Sequence, residues 1–109
     1  MPKLRNKEIL LLGMKHVELA LLYDNFSNVV RKIEEENENP HITADGVTMK
    51  ILVKINASLH PDESIEMNDE EKIEIISKAI QEDRVAYATY LVINEDASLE
   101  GEINWQKLN

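Results

Sequence analysis

Cysteine is absent from this sequence, and glycine and proline occur only three times each. Without thiols there is no disulfide framework, no thiolate nucleophile and no cysteine zinc site. Gly13, Gly46 and Gly101 are too scattered for a P-loop or a G-x-G-x-x-G turn, and no G-x-S-x-G context surrounds any of the serines. Aromatic residues make up 5% of the chain, and none of Tyr23, Phe26, Tyr87, Tyr90 and Trp105 sits in a basic stretch. No stacking platform for single-stranded nucleic acid is therefore written in the sequence. Long apolar runs are missing too. Residues 9–14 are apolar, but Lys15, His16 and Glu18 interrupt the patch well short of the roughly 20 residues a membrane span needs. Glu8 precedes the patch and no small-residue cleavage site follows it, so a cytoplasmic protein without a membrane partner is expected.

Positive charge is also scarce. Twelve Lys and Arg stand against 21 Asp and Glu, for a net charge of −9. The imbalance lies in the later part of the chain. Residues 1–32 hold six basic and three acidic side chains, a surplus of +3, and residues 33–109 hold six and eighteen, a deficit of −12. Such a segment opposes direct contact with a phosphate backbone and suits a basic protein partner, or simple solubility.

Three histidines offer little chemistry. His16 sits in an apolar seam, His41 follows Pro40 in an expected loop, and His60 faces Asp62 and Glu63 across one proline. Residues that close in sequence rarely aim at one ion, so no metal and no cofactor is expected. Carboxylates are abundant, but each lies in an expected loop, turn or polar face, where nothing raises a pKa for acid–base work. An enzyme is not expected.

At 109 residues the chain is one domain on ordinary priors. Over residues 8–34, apolar positions recur at steps of three and four: Ile9, Leu12, His16, Leu19, Tyr23, Phe26, Val30 and Ile33. Leu10, Met14, Val17 and Leu21 add a second stripe, and the whole reads as a long helix of about 40 Å, ended by the acidic run before Pro40. That exceeds the width of a domain this size, so the helix overhangs, breaks near Gly13 or at Asp24-Asn25, or packs on a second copy. The seam Leu12, His16, Leu19, Tyr23, Phe26 and Val30 is the candidate self-association surface.

Residues 47–59 change period. Val47, Met49, Ile51, Val53, Ile55, Ala57 and Leu59 alternate with polar residues, only Leu52 breaking the pattern, which predicts a strand with one buried face. Asp45-Gly46 predicts a hairpin back to residues 41–43. Asn68 with Glu71 three residues on is a capping-box spacing, and a helix over 69–83 is expected to turn Ile73, Ile76, Ala79 and Ile80 inward. The stretch VAYATYLVI, residues 85–93, reads as a strand buried on both faces, followed by a turn at 94–97 and a half-exposed strand from Leu99 to Trp105.

The expected fold is α+β in the order α-β(β)-α-β-β, with an antiparallel sheet of three or four strands and the helices on one face. The expected function is a small acidic, non-catalytic protein that binds other proteins in an accessory, inhibitor, immunity or chaperone-like role, as a homodimer. Its Ile/Lys/Glu/Asn-rich composition suggests a bacterial or bacteriophage source. Asp62, Glu63, Glu66, Glu95, Asp96, Glu100 and Glu102 would form the acidic surface for a basic partner, without direct nucleic-acid contact. The alternatives are a self-assembling structural subunit and a nucleic-acid mimic that inhibits a DNA-binding protein.

Overall fold

A computed structural model describes residues 6–32, 41–61 and 67–109. The described elements are α1 (Asn6–Tyr23), β1 (Ser27–Lys32), β2 (His41–Asp45), β3 (Lys50–Leu59), α2 (Asp69–Gln81), β4 (Val85–Ile93) and β5 (Leu99–Lys107). The α+β class agrees with expectation, and the order of elements roughly does, with an added strand, β1, directly after the first helix. The sheet is larger, with five strands in the order β1-β2-β3-β4-β5. It is also mixed: β3 and β4 run parallel and the other neighbours antiparallel. The helix between β3 and β4 is the reason. A crossover returns the chain to the end where the previous strand began, so the next strand lies parallel to it.

The long helix ends early. Asn25 adopts a left-handed φ of 67°, the Phe26 amide donates to the Leu21 carbonyl at 3.0 Å and the Asn25 amide to that of Leu22 at 3.2 Å. This is a Schellman termination with asparagine in the position glycine usually takes. The break falls at Asp24-Asn25, so Phe26 and Val30 belong to a loop and to β1 rather than to one helical seam. Steps of three and four carried the apolar pattern across two different elements. α2 ends in the same way, with Asp83 at φ 56° and the Arg84 amide on the Ala79 carbonyl at 2.8 Å. Scarce glycine is thus replaced by Asn and Asp, the other residues that tolerate this region.

The two helices cover opposite faces of the sheet, not one. Odd-numbered positions of β3 and β4 (Ile51, Val53, Ile55, Leu91, Ile93) join Ile9, Met14, Val17 and Leu21 of α1 in the larger core. Even-numbered positions (Leu52, Ala86, Ala88, Tyr90) join Ile75 and Ala79 of α2 and Met67 in a smaller one. Leu52, the break in the alternation, is the residue that announces the second core. α1 lies close on the sheet because Gly13 has no side chain: a Cβ there would come within 2.8 Å of the Ala57 Cβ. His16 Nε2–H donates to the Ala97 carbonyl at 3.0 Å, tying the helix to the β4–β5 turn.

α2 begins as expected. Asn68 caps it, its side chain accepting from the Glu71 amide at 2.9 Å. Its inward face differs. Ile75 and Ala79 are buried, while Ile73 and Ile80 are 63% and 61% exposed. The β2–β3 hairpin at Asp45-Gly46 is present, with the Gly46 amide on the Met49 carbonyl at 2.7 Å. Val47 lies in its turn and β3 starts at Lys50. Arg84 braces the hairpin from below, donating to the Ala44 carbonyl (3.2 Å), Asp45 Oδ1 (3.0 Å) and the Ile51 carbonyl (3.3 Å). Hydrogen bonds from Asn28 and Arg84 hold the Asp45 carboxyl below its ordinary range. Among the described residues no helix is long and apolar enough to cross a membrane.

Candidate functional site

Polar side chains gather on the α2 face. His41, the first residue of β2, pairs with Lys32 of β1 on one side and Lys54 of β3 on the other. Residues directly opposite in an antiparallel ladder share a face, with Cβ atoms about 5 Å apart. Lys32, His41 and Lys54 therefore stand side by side across three strands. Lys32 is exposed, but His41 is 1% and Lys54 8% exposed. The expectation that His41 lies in a loop is corrected: it is a buried strand residue.

Lys54 is the chemically distinctive member. Its ammonium donates to the Ile55 carbonyl at 3.1 Å. Burial lowers its pKa below 10.5, and the carboxylates of Glu71 and Glu74, on the first turns of α2, oppose that shift without cancelling it. β3 runs on past the start of β2, and among the described residues its edge over 55–59 has no strand partner on that side. An open pocket of about 250 Å³ lies there, lined by Leu10, Lys54, Ile55, Asn56, Ala57 and Ser58. Lys54, Asn56 and Ser58 occupy alternate positions of β3, so one wall is polar and carries a cation. The Asn56 amide is braced on the Thr89 carbonyl at 3.1 Å.

The residues singled out from sequence lie apart from the Lys54 pocket where they are described. Leu12 and His16 are half-buried on α1, Leu19 and Tyr23 are exposed near its end, Phe26 lies in the loop after it, and Val30 is exposed on β1. Glu95 and Asp96 are exposed in the β4–β5 turn, and Glu100 and Glu102 are exposed on β5. The Asp96 carboxyl is held low by hydrogen bonds from Ser98. Asp62, Glu63 and Glu66 lie outside the described residues, as do Lys3, Arg5 and the acidic run before Pro40. His60 is exposed, and among the described residues no three His, Cys, Asp or Glu side chains gather as metal ligands. The sequence hides Lys54 because polar residues alternating in a strand usually face water, and His41 because it follows Pro40 at what reads as a loop. The one pointer was Leu52, which shows that the polar face is also covered.

No protein-family model matches the chain, and no curated protein is similar to it in sequence. The fold has a solved counterpart. A Holliday junction resolvase, Hjc of the archaeal hyperthermophile Archaeoglobus fulgidus, superposes with a TM-score of 0.63 over 88% of this chain and 74% of the resolvase, at 11% identity. At that identity the likeness shows a shared fold. It still overturns the expectation of a non-catalytic, protein-binding role without nucleic-acid contact, because this architecture is one on which a DNA-junction enzyme is built. The physical error was to read a summed charge as a surface. A net −9 says nothing of a local row such as Lys32, His41 and Lys54, where two lysines flank a histidine across three strands.

Proposed function

We propose that this chain acts on nucleic acid and takes a phosphodiester group at the Lys54 pocket. The observation that carries this reading is a lysine buried in the central strand of a sheet whose architecture is shared with a DNA-junction resolvase. A buried ammonium stabilises negative charge on a phosphoryl oxygen more strongly than an exposed one, because little water screens it. Its lowered pKa also brings proton exchange closer to neutral pH, which suits a general acid at a leaving oxygen. Lys32, exposed at the end of the same row, supplies a second contact to the backbone. The acidic remainder of the surface repels duplex elsewhere and confines binding to this row. A cytoplasmic location, where nucleic acid is met, belongs to the same reading.

The test is binding and strand cleavage on a labelled four-way DNA junction, a duplex and a single strand, with and without divalent cation. With two cationic contacts, log Kobs against log salt should fall with a slope of about −2, and Lys54→Met should reduce its size by about one and weaken binding at least tenfold. A chain that neither binds nor cleaves any of the three at low salt sinks the proposal. Unchanged binding by Lys54→Met removes the site.

A further inference from the structure

The opposite face of the sheet carries a second cavity that nucleic-acid binding does not use. It is an open cleft of about 220 Å³ lined by Leu21, Asp24, Phe26, Met49, Ile51, Tyr87 and Trp105. Three of the chain's five aromatic side chains meet there. Trp105 of β5 stands opposite Thr89 and Tyr87 of β4 opposite Lys107, so the two rings are diagonal neighbours on one face.

The walls are fixed by the backbone. Phe26 follows the Schellman turn of α1, its amide bonded to the Leu21 carbonyl, and the two residues line the cleft together at the positions where such a turn carries its apolar pair. Its ring rests on Gly46, where a Cβ would come within 2.8 Å of the ring Cε1 and 2.9 Å of the Met49 carbonyl oxygen. Glycine at 46 therefore allows the ring its position. Trp105 remains 38% exposed, so the cleft opens to solvent along an indole.

Asp24 is the one charged side chain in the lining, and among the described residues no lysine or arginine pairs with it. That decides the ligand. A carboxylate at the rim repels phosphates and carboxylates, and a neutral apolar molecule would leave its charge unused. Three aromatic rings and a carboxylate together favour a cation with an apolar surface. We infer that this cleft binds a small organic cation carrying a methylated ammonium group, with Trp105, Tyr87 and Phe26 around the methyl groups and Asp24 facing the charge. Seven lining residues suit one head group rather than a peptide segment. Lys107 stands beside Tyr87 in register but does not line the cleft.

Trp105 is the lone tryptophan, so its fluorescence reports on this cleft alone. The experiment titrates the full chain with choline and, separately, with its neutral isostere 3,3-dimethylbutan-1-ol, at constant ionic strength. Choline should give a saturable change at least about fivefold tighter than the alcohol, the ratio that roughly 1 kcal/mol of cation–π attraction provides. Asp24→Asn should weaken choline about threefold and leave the alcohol unchanged. Trp105→Leu, followed through broadening of the choline methyl resonance, should abolish binding. Equal affinity for the two ligands would mean a merely apolar cleft and overturn the inference, as would the absence of any saturable response to choline.

Discussion

The two faces of one sheet are built to different rules. Under α1 eleven buried hydrophobic residues close into one cluster, and the buried polar residue of β4 on that face, Thr89, spends its hydroxyl on the Lys54 carbonyl at 3.0 Å. Under α2 the cluster is smaller, and beside it the same strands bury His41, Thr43 and Lys54. Burying a cation costs free energy, so the second face is not arranged for stability alone. What differs between the faces is the cover. α1 spans 18 residues and reaches β1 through β4, while α2 has 13 and packs on β3 and β4. A short helix over a wide sheet leaves room for polar groups beside it.

The sharpest way to break this contrast is through the first face. Leu91 is fully buried in its core, and Leu91→Ala should cost about 2–5 kcal/mol in urea unfolding. Lys54→Met should act in the opposite direction. An apolar side chain of similar length removes the desolvation cost and should raise stability by about 1–2 kcal/mol near neutral pH, while weakening nucleic-acid binding. The pH dependence identifies the cause. Because the folded-state pKa of Lys54 lies below its ordinary 10.5, the unfolded chain binds more protons between those two values. Stability of the unmodified chain should therefore rise with pH across that alkaline window, and the advantage of Lys54→Met should shrink to nothing above it. A constant difference at every pH would mean that packing rather than charge separates the two. The smallest effect concerns α2 itself: Asn68→Ala removes the cap and should cost about 1 kcal/mol, with m unchanged.

Much of this architecture was legible in the sequence, and the limits have physical causes. The span of β4 was read to the residue, because nine consecutive apolar or β-favouring positions fit nothing else in so short a run. The cap at Asn68 was legible because its chemistry is local. β1 was not, since Tyr23, Phe26 and Val30 continue a helical spacing by coincidence, and only the left-handed Asn25 reveals the corner. The parallel pairing of β3 and β4 depends on where α2 lies in space, which periodicity does not encode. The Lys54 row was hidden for the same reason. Its members come from three strands separated by up to 22 positions, and each alone looks like an ordinary surface residue. The aromatic cleft likewise joins residues from α1, the loop after it, β4 and β5.

The outer strands of the sheet have a consequence for the molecule at high concentration. β1 and β5 are its two edges, and each pairs with its neighbour through a register shift, between Ser27 and Val30 on one side and between Tyr90 and Val92 on the other. Asn28 at φ 50° and Gly101 at φ 73° turn the backbone out of a flat ribbon at these edges. An incoming strand needs an even row of amides and carbonyls to template on, and neither edge offers one. Arg31 and Lys32 on β1, and Glu100 and Glu102 on β5, add solvated charge along both margins. Register shifts and charge of this kind oppose edge-to-edge pairing of copies, as they do on the edge strands of natural sheets.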